Sequence, residues 1–213
     1  MKSAIVKVVS ASPYSQSKHY TEEDAPKLPK ELHDAYEKRT WANRMHVNAA
    51  GLVEIPGSCF ANCLKGAAKR LKLQVPGKGR VEWTKYFEAG VMVPHPLVLP
   101  IKAADVPPER LFVPSDGRRG GGKRVMKYFP LITEWSGSVT YFVFDDMITS
   151  DVFEKILTAS GMLVGIGRFR PENCGYYGRF TIADIQWREE EATLASLNAA
   201  PSNPAPTKKA KAA

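Results

Sequence analysis

The sequence predicts an α+β protein, a ferredoxin-like sandwich with inserted loops and a glycine-rich C-terminal loop. Three observations carry this. An opening strand pattern is followed by an amphipathic helix pattern; near the other end a strand, a helix and two further strand-like segments follow one another; and glycine-rich basic stretches interrupt the order.

"SAIVKVVSAS" places Ile5, Val6 and Val8 around Lys7 in a period-two frame and ends near Ser12 or Pro13, as a first strand would. Residues 14–29 are polar and proline-bearing, hence a long loop, and a short helix is expected over about 31–45. In "IPGSCFANCLKGAAKRLKL" Phe60, Cys63, Leu64, Ala67, Ala68 and Leu71 recur at spacings of three and four. An amphipathic helix follows, with Lys65, Lys69, Arg70 and Lys72 on its outer face. "VEWTKYFEAGVMVPHPLVLP" is expected to be strands broken by Pro94, Pro96 and Pro100. "SVTYFVFDD" is rich in β-branched and aromatic residues and predicts a strand. Asp151 and Glu154 stand at capping-box spacing at the head of the helix "DVFEKILTAS". Gly161 is placed for a left-handed helix end, "MLVGIG" for a strand and "GRFTIADIQW" for the last strand.

At 213 residues the chain can bury one sizeable core, so residues 1–190 are expected to form a single domain. Beyond it, 191–213 turns to Ala, Ser, Pro and then Lys208, Lys209 and Lys211, the composition of a disordered basic tail. Thirty basic against 22 acidic side chains leave a formal charge of +8, which favours an anionic partner. Three cysteines without a repeated spacing suit a reducing compartment. No apolar run approaches the roughly 20 residues of a membrane helix, so a cytoplasmic protein without a membrane partner is expected.

The functional reading concentrates on two stretches. "GIGRFRPENCGYYGRF", residues 165–180, holds four glycines, three arginines and four aromatics. Gly165, Gly167, Gly175 and Gly178 let the backbone take positive φ or approach a ligand closely. Arg168, Arg170 and Arg179 can hold phosphate oxygens with a planar fork, and Phe169, Tyr176 and Tyr177 offer stacking faces. A hairpin with turn glycines and solvated arginines has the same ingredients. The second stretch, Arg118, Arg119, Gly120, Gly121, Gly122, Lys123, Arg124 and on to Lys127, resembles either an arm that orders on a polyanion or an ordinary exposed loop. Five phosphate contacts from it would give a salt slope near −3.5 on a single strand.

The chemistry-bearing residues form no recognisable constellation. His19, His33, His46 and His95 are scattered. Asp145 and Asp146 terminate a strand, and Cys59 and Cys63 lack two further ligands for zinc. No catalytic residue, metal or cofactor is assigned.

The helix ending in "ASG", the segment "MLVGIG", the basic glycine-rich loop and the closing "GYYGRF" resemble the C-terminal signature of the RAMP superfamily, in particular the backbone subunits of CRISPR effector complexes. The match covers about residues 139–185. The resemblance implies a modified RNA-recognition-motif sheet, single-stranded RNA (or single-stranded DNA) as partner, and subunits stacking as a homo-oligomeric helical filament beside other effector-complex subunits. It carries Gly165, Gly167, Arg168, Arg170, Gly175, Gly178 and Arg179 onto the family's loop, and likens about Val113 to Met126 to a protruding hairpin. Pro171, Glu172, Asn173 and Cys174 lengthen the loop relative to that pattern, which leaves room for a phage-borne relative. The readings that follow are a non-catalytic single-strand binder, a metal-independent RAMP-type endoribonuclease using His19 or His46, and an assembly subunit for an acidic protein.

Overall fold

The structure is a computed structural model and describes residues 1–21, 23–115 and 122–189. Its centre is β1 (Lys2–Ser10), whose alternate residues Ala4, Val6 and Val8 are fully buried, as the period-two frame requires. β1 pairs antiparallel with β8 (Ser136–Val143) on one side and β9 (Phe180–Glu189) on the other, and β4 (Val91–Met92) extends the sheet beyond β8. The order β4-β8-β1-β9 places the second, third, first and fourth strands of the sheet side by side. That is the ferredoxin-like order, with two strand–helix–strand crossovers interleaved.

α2 (Gly57–Leu71) makes the first crossover and α4 (Ser150–Ala159) the second. In α2 the predicted stripe is buried at Phe60, Cys63, Leu64, Ala67 and Ala68. Phe60 meets Phe180 of β9 edge-on at 5.9 Å, and Phe153 of α4 meets Tyr141 of β8 at 5.4 Å, so both helices seal the same side of the sheet.

Two insertions decorate this frame and pair with each other. The first holds β2 (Tyr14–Ser15), α1 (His33–Thr40), a 3₁₀ turn at Trp41–Arg44 and β3 (Leu52–Ile55). The second holds β5 (Leu97–Lys102), β6 (Pro108–Pro114) and β7 (Arg124–Ile132). β3 pairs with β5, and β2 pairs with β7 to make a three-stranded sheet β2-β7-β6. The long loop expected over 14–29 thus begins with a strand that ties it to the hairpin.

Three local expectations are corrected. Residues Thr84–Ala89 form α3 rather than a strand: Trp83, Tyr86 and Phe87, at i, i+3 and i+4, all pack on the core, a set that a helix puts on one face and a strand's period of two divides between two. "MLVGIG" is not a strand. The chain continues from α4 into a π-helical turn at Ser160–Val164, closed by the bond from Gly165 N–H to the Ser160 carbonyl at 2.9 Å. Gly161 therefore lies inside a helical turn, where a Cβ would strike the Phe180 carbonyl, and Gly165, at φ +69°, ends the turn instead. Finally, α4 starts at Ser150 after Thr149 and has no side-chain capping bond, so Asp151 acts as a first-turn carboxylate at the positive helix end. The residues from 190 onward, including the expected basic tail, lie outside the described residues.

Candidate nucleic-acid interface

The loop from Gly165 to Arg179 is built against the first insertion. Ile166 N–H donates to the Gly178 carbonyl at 3.0 Å, Gly178 N–H to the Pro13 carbonyl at 2.7 Å, and Arg168 N–H to the Ser15 carbonyl at 2.9 Å. The Arg179 N–H donates to Ser12 Oγ at 2.9 Å. The glycines make their close approaches to the chain itself: a Cβ at Gly167 would press on Tyr14 and Ser15, one at Gly175 on Phe169 and one at Gly178 on Ile166. The loop is therefore a fixed platform for its side chains.

Arg168 is the centre of that platform. Its guanidinium lies 3.9 Å from the Phe129 ring centroid and 5.1 Å from that of Tyr177, and its Nε donates to Ser15 Oγ at 3.2 Å. Only 14% of the side chain is exposed, and the nearest carboxylate, Glu109, stands at 3.7 Å. Burial lowers its pKa, an effect that Tyr177 and Glu109 oppose and Arg44 reinforces. Arg44, from the 3₁₀ turn, sits 5.0 Å from the same Phe129 ring and 5.3 Å from Tyr20, and its Nη2 bonds Glu37 at 2.7 Å. One aromatic ring on β7 thus orients two guanidiniums through their attraction to its face. Arg44 Nε and Arg168 Nη2 are buried, and neither has an acceptor within hydrogen-bond distance among the described residues.

Three adjoining cavities share Ser17 and form the lobes of one groove. The largest, about 670 Å³, runs between the hairpin and the loop, with Val113, Pro114, Lys127 and Phe129 on one side and Arg168, Phe169, Asn173 and Cys174 on the other. Arg44 joins it to a lobe of about 300 Å³ lined by Lys18, His19, Tyr20 and Tyr36. Arg168 joins it to a lobe of about 280 Å³ lined by Gln16, Lys18, His46, Asn62 and Arg170. The five cations of the groove face three carboxylates. Arg44 is paired with Glu37, Arg168 with Glu109, and Arg170 with Glu172 at 2.6 Å. Lys18 and Lys127 have no carboxylate partner among the described residues, and Lys127 donates to the Ser115 carbonyl at 3.2 Å.

Of the residues singled out in the sequence, Lys127, Gly165, Gly167, Arg168, Phe169 and Arg170 line the groove. Gly175 and Gly178 shape the loop behind it. Lys123 and Arg124 are exposed at the base of the hairpin tip, with Arg124 over Phe112 at 5.7 Å. Arg118 and Arg119 lie outside the described residues. Tyr176 is 60% exposed but does not line the groove, and Arg179 Nη1 turns back to the Tyr176 carbonyl at 3.2 Å. Tyr177 is corrected from a stacking face to a buried strut. It is 9% exposed, and its hydroxyl donates to Glu109 at 2.6 Å, tying loop to hairpin. Burial and that carboxylate push its pKa up to about 12. Sequence reasoning missed Lys18, Arg44 and Phe129. Each sits in an ordinary-looking segment, and only the pairing of the two insertions brings them to the loop.

Fold and groove together define an α+β protein of ferredoxin-like topology with a cationic, aromatic-walled cleft. No family profile matches the chain, and no curated protein matches it. Among solved structures it is similar to a chain described as "CRISPR RNA-guided surveillance complex", at 7% identity and a TM-score of 0.39, over 98% of this chain and 78% of that one. Among the described residues no helix is long and apolar enough to cross a membrane, and no group of three His, Cys, Asp or Glu stands ready to hold a metal ion.

Proposed function

We propose that the protein binds single-stranded nucleic acid in this groove and does no chemistry on it. The observation that carries the reading is the pair of guanidiniums around Phe129, each with a buried N–H that finds no acceptor among the described residues. A buried, unsatisfied donor on a charged group is costly, and phosphate oxygens are the acceptors that suit two such donors. Lys18 and Lys127 supply charge along the lobes that no described carboxylate pairs with within 4 Å. Phe169, 44% exposed on the groove wall, supplies a face for a base. The preference for RNA, and the stacking of copies along the strand as in a ribonucleoprotein backbone, rest on the resemblance of residues 139–185 to RAMP backbone subunits.

The test is fluorescence anisotropy with a labelled 15-mer oligouridine and its DNA counterpart across a salt series. If Lys18, Arg44, Lys127 and Arg168 each neutralise one phosphate, the slope of log affinity against log salt is about −2.8. Phe169→Ala should cost about 1–3 kcal/mol of binding if a base stacks there. Salt-independent or absent binding to both polymers would reject the reading.

A second reading has its own observation. His46 lines the lobe formed by Gly165, Gly167, Arg168 and Arg170, with Lys18 beside it. Burial first and Lys18 second lower its pKa, so the imidazole is neutral at pH 7, the form in which a general base acts. If this group cleaves RNA, products form in EDTA, vanish in His46→Ala, and decline as acid protonates the imidazole below its usual value of about 6.5. Intact RNA after long incubation with excess protein excludes the nuclease.

A further inference from the structure

A second block of positive charge lies away from the groove. From Lys65 to the end of α3 at Ala89 stand five lysines and two arginines against Glu82 and Glu88, seven minus two, or +5. Lys65, Lys69 and Arg70 lie on α2, Lys72 ends it, Lys78 and Arg80 occupy the following turn, and Lys85 lies on α3. All are exposed except Lys65, which is half-buried, and none has a carboxylate partner within 4 Å among the described residues. None lines the groove. Like charges gathered this way repel one another and gain from a polyanion laid across them.

We infer that this α2–α3 face is a second, separate site that takes the phosphate backbone of duplex nucleic acid. Aromatic supply decides between duplex and single strand. Trp83 and Phe87 are buried in the core, and the Tyr86 ring is already occupied by Lys78, whose Nζ lies 5.6 Å from its centroid and donates to its hydroxyl at 3.3 Å. A surface of five lysines and two arginines without an open aromatic face has less to offer unpaired bases than the groove and suits a duplex, which hides its bases and presents its phosphates. Geometry separates the two sites. The groove touches α2 at Cys59, Asn62 and Cys63; Lys65 stands close to that end, whereas Lys69 lies six residues beyond Cys63, about 9 Å along the axis, and Arg70 and Lys72 lie farther still. Between them Gly66 faces Val164 and the Glu172 carboxylate, an unfavourable crossing for a continuous anion.

The experiment titrates the full chain into a labelled 20-base-pair blunt duplex and, separately, into oligouridine. The variants are a triple substitution, Lys69→Gln, Arg70→Gln and Lys72→Asn, the last because Lys72 sits at φ +49°, which Asn tolerates, and an independent triple, Lys78→Gln, Arg80→Gln and Lys85→Gln. If the three changed side chains each meet a phosphate, the duplex salt slope flattens by about 2.7 and affinity at 0.1 M salt falls at least about tenfold. Oligouridine binding stays within twofold. Duplex binding that is unchanged in both triples, or absent from the wild type, overturns the inference. Parallel loss of duplex and oligouridine binding also overturns it, since one surface would then serve both. Wild-type binding to duplex alone would remove the groove reading and leave this one standing.

Discussion

Replacing Arg168 with lysine is expected to weaken single-strand binding by at least about tenfold although the formal charge is unchanged. The site uses more than charge. Nε is committed to Ser15 Oγ, Cζ lies 3.9 Å from the Phe129 centroid, and Nη2, 3.7 Å from Glu109, has no hydrogen-bond acceptor among the described residues. A lysine ammonium can neither stack flat on that ring nor serve an internal acceptor and an external anion with a fixed fork. Arg168→Ala removes the donors altogether. With hydrogen bonds to charged groups worth about 1.5–3 kcal/mol, the loss is roughly 10- to 150-fold. The Tyr177 hydroxyl still donates to Glu109 in either variant, so the tie between loop and hairpin survives; thermal unfolding should move little in Arg168→Lys and more in Arg168→Ala, which empties a packed site beside Phe129. Anisotropy and a melting curve on the same samples separate binding from folding. Wild-type affinity in both variants would mean that the groove is not where the strand lies, whatever else binds it.

The way Arg168 is held also shows what could be read from the sequence and what could not. The ferredoxin-like order was legible because β1 buries Ala4, Val6 and Val8 at period two, β8 is a run of β-branched and aromatic residues, and α2 carries a clean stripe, patterns that are local in sequence. The loop was legible as a cluster of glycines and arginines. Its meaning was not: close approach by glycine looks the same in sequence whether the neighbour is a ligand or, as here, Tyr14, Phe169 and Ile166. Aromatic content misled twice. Trp83, Tyr86 and Phe87 read as strand residues although their spacing is helical, and Tyr177 read as an open face although a carboxylate 68 positions away, Glu109, claims its hydroxyl. Arg44 and Phe129 meet Arg168 only because β2 pairs with β7, a contact between two insertions that no local pattern announces.

Two glycines with nearly the same backbone angle should respond very differently to alanine. Gly77 has φ +74° and Gly178 has φ +76°. Around Gly77, in the exposed turn between α2 and α3, a Cβ would meet nothing within 4 Å, so Gly77→Ala pays only for the left-handed conformation, about 1–2 kcal/mol, less a few tenths regained by stiffening the unfolded chain. At Gly178 the same Cβ would overlap the Ile166 carbonyl, a backbone atom that cannot rotate away. Relief requires the loop to move, which strains the bonds from Ile166 N–H to Gly178 and from Gly178 N–H to Pro13, each buried group costing about 1–3 kcal/mol if left unpaired. The expected total is about 4–5 kcal/mol, and at roughly 2–4 °C per kcal/mol for a chain of this size the melting temperature falls by about 10–20 °C, against about 2–6 °C for Gly77→Ala. Because Arg168 hangs from the same loop, Gly178→Ala protein that remains folded should also lose strand affinity, whereas Gly77→Ala should not. Equal melting shifts for the two variants would mean that the loop yields cheaply, and that the rigidity invoked for the Arg168 platform is absent.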